Sequence, residues 1–270
     1  MPMDNMEMFS EMERRARNAR VHTITSIHRN REGHYGGSLS CIEIMSVLYS
    51  CFIQRSRSDK FILSKGHAAA GYYAVLAECG LLQHDQLDSY AQFGSALQGH
   101  PDMLTCNAVD FSSGSLGQGL SVGLGMALAM RRQASHVWAL LGDGECQEGQ
   151  VWEAAMLAGR LQLNNLTAII DANGYQEWGF RTGGKSSKPV PDLAEKWAAF
   201  GWNVVLVNGH DIPSLHAACS EARQTATGPH LILATTVKGH GVHLIAADPD
   251  RFHCGELSPT EYMDALGSLQ

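Results

Sequence analysis

Apolar and polar positions alternate along this chain in two regimes. Short runs rich in β-branched and aromatic residues, VWALL (137–141), LTAIID (166–171), WNVVLV (202–207) and HLILATTV (230–237), are separated by longer segments that can be helical. In EGQVWEAAMLAGRLQL, between the first two runs, Val151, Ala155, Ala158 and Leu161 recur at helical spacing. Strand, helix, strand in repetition predicts an α/β fold: three α/β/α layers with a mainly parallel sheet. Segment 174–193, where Gly, Ser and Pro cluster, reads as irregular.

A parallel pair joined by a helix ends both strands at the same sheet edge, where open α/β sheets place ligands. Gly142-Asp143-Gly144 after the first run and Asp171-Ala172-Asn173 after the second therefore converge. A carboxylate, an amide oxygen and a nearby main-chain carbonyl suit a hard divalent cation, with ligand diphosphate oxygens completing its shell. Backbone N–H groups after Asp143 can also meet a diphosphate. The same residues are equally at home in ordinary turns, so spacing alone leaves both readings open.

Composition narrows the field. The chain has 270 residues, 44% hydrophobic and 17% charged, which is ample for a sizeable globular core. Twenty Lys+Arg against 27 Asp+Glu give a formal charge of −7, which repels nucleic acid and anionic membranes. The longest mostly apolar stretch, LSVGLGMALAM (120–130), spans about 16 Å as a helix against a hydrocarbon core of about 30 Å. Seven scattered cysteines without a C-x-x-C pair predict free thiols. The N-terminus carries neither a signal core nor a transit-peptide bias, so a cytoplasmic location is expected.

Other motifs are weaker. Gly179 to Ser186 satisfies the string G-x-x-x-x-G-K-S, but no strand leads directly into it and Lys-Pro-Val-Pro follows, so it is expected to be a chance match. The Gly-rich stretch 114–125 lacks dinucleotide-fingerprint spacing; it reads either as a tightly packed helix or as a turn whose backbone approaches a ligand. Thirteen histidines include several flanked by glycine, His34, His67, His100, His240 and His253 among them. Loop imidazoles of this kind can bind hydroxyls and exchange protons near neutral pH. No H-x-x-x-H or H-E-x-x-H spacing predicts a zinc cage.

The ordered series GHYGGSLS, SKGHA, GHPD, SSGSLGQGLS, GDGECQEG, DANGY and LAEKWAAFGWNVVLVNGHD resembles the diphosphate-binding domain of transketolases, which are thiamine-diphosphate enzymes. The likeness runs from about Arg14 to about Glu256. It implies a thiamine-diphosphate-binding fold over 1–270 as one diphosphate-binding domain. It also implies Asp143, Asn173 and the Tyr175 carbonyl as ligands of Mg²⁺, or of Ca²⁺ or Mn²⁺, with Gly144 and His67 at the cofactor diphosphate. Gly114, Ser115 and Leu116 would line the cofactor rings, His34 and His100 would face the sugar hydroxyls, and His253 would stand between diphosphate and substrate, with His240 and His243 as nearby competitors. Glu148 matches an acid at the family's interface between subunits.

The family's pyrimidine-binding residues have no counterpart here, so the resemblance implies the N-terminal subunit of a split transketolase. Its partner would be a C-terminal subunit, with two copies of each chain, and its reaction would be transfer of a two-carbon ketol unit from a ketose, usually phosphorylated, to an aldose. A thiamine-diphosphate subunit of a 2-oxo acid dehydrogenase and a non-catalytic cofactor-binding homologue are the alternatives. A 2-oxo acid needs no row of hydroxyl-binding histidines, which favours the sugar.

Overall fold

The computed structural model describes residues 4–176, 181–182, 185–186 and 189–269. Five parallel strands form the central sheet: β1 (Lys60–Leu63), β2 (Val137–Gly142), β3 (Leu166–Ala172), β6 (Asn203–Asn208) and β7 (His230–Thr235), in spatial order β1-β2-β3-β7-β6. Two short segments, β4 (Arg181–Thr182) and β5 (Lys185–Ser186), pair antiparallel apart from it. The expected parallel sheet is present. Strand β1 is an addition, since KFIL is too short to show a period of its own. Of the P-loop lookalike, Gly179, Phe180, Gly183 and Gly184 lie outside the described residues.

The helices in chain order are α1 (Asn5–Asn30), α2 (Tyr35–Leu39), α3 (Ile42–Val47), α4 (Ala69–Glu78), α5 (Gln118–Met130), α6 (Gly149–Leu161), α7 (Leu193–Ala199), α8 (Ile212–Gln224), α9 (His243–Ala247) and α10 (Pro259–Gly267). None among the described residues is long and apolar enough to cross a membrane. In α1, Met12, Ala16, Ala19, Thr23 and Ile27 repeat every three to four positions and are buried.

The period of two in the strands divides the core. Trp138 and Leu140 of β2, with Ile169 and Ile232, pack beneath α1, α3, α4 and α8. Val137, Ala139 and Leu141, with Ala168, Ile170 and Leu231, pack against α5, α6 and α7. Both faces of a parallel sheet are thereby covered, giving the three expected layers. In α6, Val151, Ala155 and Ala158 are buried but Leu161 is exposed. Ten residues at 100° each carry Leu161 about 80° away from Val151, off the buried stripe.

Candidate functional site at the carboxyl edge of the sheet

All five main strands run the same way, so the residues just past β1, β2, β3 and β7 gather at one edge. Gly142 is in register with Asp171, which brings Asp143 beside the β3 end. Asp143 Oδ1 accepts from Gly144 N at 2.9 Å and Oδ2 from Gly174 N at 2.7 Å. Asn173 Nδ2 donates to Asp171 Oδ2 at 3.3 Å, and Asn173 Oδ1 accepts from Tyr175 N at 3.0 Å. Burial, reinforced by the charge of Asp171, pushes the Asp143 carboxyl up to about 6.

A buried carboxylate so disfavoured is stabilised by a cation. The oxygens of Asp143, Asn173 and the Tyr175 main chain are the hard donors that Mg²⁺ takes. A side chain at Gly144 would bring its Cβ within 2.9 Å of Gln176 Cβ, so glycine keeps this cradle open. The chemistry of these donors therefore fits a hard divalent cation.

Lys65 lines the same cavity as Asp143 and Asn173. Lys65, past β1, is buried; its Nζ donates to Gly37 O at 2.9 Å and pairs with Asp171 Oδ2. Burial disfavours the Lys65 charge, but Asp171 overrides it and raises the ammonium above its ordinary value. Likewise burial opposes ionisation of Asp171, yet Lys65 holds its carboxyl below the usual range. Ser40 Oγ donates to Asp171 Oδ2 at 2.5 Å, and Thr236 Oγ1 donates to Oδ1. Glu145 accepts from Gly117 N at 2.8 Å, Gly142 N at 3.1 Å and Ser64 Oγ, tying three loops together.

Four histidines from separate stretches meet above this floor: His34, His67, His100 and His253 line one cavity of about 500 Å³. Ring centroids are 5.2 Å apart for His34 and His67, and 5.3 Å for His34 and His253. Lys238 Nζ donates to His253 Nδ1 at 2.7 Å, which leaves the ring proton on Nε2. Burial, with the Lys238 charge, pushes His253 down to about 3. Burial, with neighbouring cationic groups, pushes His34 to about 4 and His67 well below its ordinary value. Burial and Lys65 also bring Lys238 down to about 8. The imidazoles of His34, His67 and His253 are thus neutral at pH 7 and offer proton carriers in the cavity.

Asp143, Gly144, Asn173 and Tyr175 line the same cavity, as do Gly114 and Leu116 from the Gly-rich stretch. Ser115 is exposed and is not part of its lining. The Gly-rich stretch is divided between cavity and core. Its first residues face the cavity, whereas Gly119 in α5 is packing: a Cβ there would fall 2.3 Å from Ser64 Oγ. His253 rather than its neighbours reaches the cavity, because His240 stacks on His210 at 3.5 Å and His243 is exposed at the start of α9. Sequence reasoning passed over Lys65, Lys238 and Glu145. The lysines stand beside glycine-flanked histidines, in SKGH and KGHG, and that adjacency was the available signal.

The model of the transketolase thiamine diphosphate binding domain matches residues 12–262, nearly the whole chain. The chain belongs to the transketolase family. Among curated members, the 6-deoxy-6-sulfo-D-fructose transketolase subunit SqwG of Clostridium sp. (strain MSTE9) is 36% identical over 240 residues, covering 86% of each chain. An apulose-4-phosphate transketolase subunit from Phocaeicola vulgatus is 32% identical over 275 residues, covering 98% of this chain and 94% of that one. The crystal structure of transketolase from Campylobacter jejuni superposes with a TM-score of 0.83 at 25% identity. This transketolase-family chain is covered to 96% in that comparison and spans 43% of the Campylobacter enzyme's length.

Proposed function

We propose that this chain is the diphosphate-binding subunit of a two-component, cytoplasmic transketolase. The assembly transfers a two-carbon ketol unit from a phosphorylated ketose to an aldose. Residues 1–270 act as one diphosphate-binding domain, and a second subunit brings the pyrimidine-binding domain, with two copies of each chain. The observation that carries this reading is the one cavity in which a cation-ready carboxylate, Lys65 and the neutral imidazoles of His34, His67 and His253 converge. Relatives of subunit length, matched over 86% and 94% of their own chains, support the division into subunits. So do the exposed Leu116 at the cavity and the exposed Met156 and Leu157 on α6, apolar surface of the kind a partner covers.

Asp143, Asn173 and the Tyr175 carbonyl would hold Mg²⁺, or another hard cation such as Ca²⁺ or Mn²⁺. Gly144 N, His67 and Lys65 would hold the diphosphate, and Gly114 and Leu116 the rings. Thiamine diphosphate, when bound, supplies the electron sink that breaking a bond beside a ketose carbonyl requires. The chain's own part is to bind, orient and move protons. His253, with Nδ1 accepting from Lys238, presents an Nε2 donor; His34 and His100 offer hydrogen bonds to sugar hydroxyls.

The test is native mass spectrometry of the protein from its own cells, followed by a ketol-transfer assay of the recovered complex with thiamine diphosphate and Mg²⁺. A stoichiometric second chain and turnover of a phosphorylated ketose are expected. A homo-oligomer that persists with both cofactors added and turns over no ketose would overturn the proposal and leave a non-catalytic binding protein.

A further inference from the structure

Among the described residues, two further clusters of metal-type donors lie outside the cavity, Glu43 with His210 and His240, and His22 with Glu78 and His84. Tautomers separate them. Val237 N donates to His210 Nε2 at 2.8 Å, so His210 must keep its proton on Nδ1, the atom that faces Glu43 at 3.2 Å. A metal at Nδ1 would shift that proton to Nε2, against the Val237 N–H. Arg20 also pairs with Glu43 there. That cluster is a hydrogen-bonded strut joining α1, α3 and the loops after β6 and β7.

The second cluster has the opposite character. His84 Nε2 lies 2.9 Å and His22 Nε2 3.4 Å from the same oxygen, Glu78 Oε1. Ligand atoms at 2.0–2.1 Å in a tetrahedral shell stand about 3.3 Å from one another, so both separations bracket that value. Asn18 Nδ2 donates to Glu78 Oε2 at 3.0 Å, turning Oε1 toward the imidazoles as an outer-shell partner does. Neither Nδ1 of His22 nor of His84 has a protein hydrogen bond among the described residues, so each can carry the proton that an Nε2-bound imidazole needs. The His22 and His84 side chains are 34% and 57% exposed, so an ion can enter from solvent.

We propose that His22, Glu78 and His84 form a binding site for a zinc-class divalent metal, distinct from the site of Asp143 and Asn173. Two nitrogens and one carboxylate oxygen select a borderline transition metal over Mg²⁺. The three ligands come from α1, the end of α4 and the turn just beyond it. The metal therefore closes a loop between positions 22 and 84, stabilising the folded chain by binding it alone.

The full-length chain, stripped with a chelator, is titrated with ZnCl₂ against a chromogenic competitor, and its thermal melt is followed in parallel. The wild type is expected to take up one equivalent that H22A and H84A both lose, together with the zinc-dependent rise in Tm. N18A should weaken uptake by about 10- to 100-fold. H240A and C254S should keep the equivalent. Zinc uptake unchanged in H22A and H84A, or lost in H240A instead, overturns the assignment, as does a wild type that binds no zinc. Both histidines are on the surface, so the metal-free variants should melt close to the metal-free wild type, and a collapse of either would be read from that baseline.

Discussion

Lys65→Met is the most informative perturbation of the cavity floor. The Lys65 and Asp171 side chains are 1% and 0% exposed, and the ammonium also donates to Gly37 O. The substitution leaves Asp171 with Ser40, Thr236 and Asn173 as donors but without its ion-pair partner. Breaking a buried pair from one side costs about 3–5 kcal/mol, because the remaining charge is uncompensated. At roughly 2–4 °C per kcal/mol for a chain of this size, Tm should fall by about 6–20 °C. Asp171→Asn on the same background removes the stranded charge and should recover more than half of the loss. Lys65 sits above its ordinary pKa and Asp171 below. The contribution is therefore lost only as pH rises through the folded lysine value or falls through the folded aspartate value. The contribution of the intact pair to the wild type should be constant from about pH 5 to pH 9. Thermal unfolding by circular dichroism of the four members of this double-mutant cycle decides it. Additive effects, or a fall in Tm below about 3 °C for Lys65→Met, would refute the ion pair as an energetic unit.

Three further outcomes are expected. Asp143→Ala should abolish Mg²⁺-dependent binding of thiamine diphosphate in the reconstituted enzyme, and unchanged calorimetric affinity would remove the metal assignment. His100→Ala should raise the sugar KM or lower kcat while cofactor affinity persists; loss of cofactor affinity would place His100 at the cofactor instead. His34 is held neutral by burial, down to about 4 when folded, so the unfolded chain binds the extra proton between that value and about 6.5. Stability from this residue is present above about 6.5 and lost as pH falls. At pH 5 the loss relative to pH 7 is about 2 kcal/mol. His34→Asn should thus shrink the Tm difference between pH 7 and pH 5 by about 4–8 °C, and equal differences in both proteins would contradict it.

Strands β2, β3, β6 and β7 and the stripe of α6 were legible because period and residue type are local properties of the chain. From them the parallel sheet followed, and with it the convergence of Asp143 and Asn173, since each stands just beyond a strand end. The ordered motifs added the family and, through it, the histidines. Strand β1 was not legible, because four residues carry no measurable period; it exists through its pairing with Val137 to Leu140 of β2. Nor could spacing show that Leu161 misses the buried face, which depends on where the sheet lies. That His253 lines the cavity while His240 does not depends on a ring stack between loops 30 residues apart in sequence, at positions 210 and 240. Lys65 and Lys238 make the same point most sharply. In sequence a lysine is a solvated surface charge, and only the fold buries Lys65 on Asp171 at the cavity and sets Lys238 against His253. The chain alone determined its elements and its candidate chemistry, because these rest on neighbouring residues. Which charges are buried, and on what partners, is a property of distant segments brought together, and only the tertiary structure decided it.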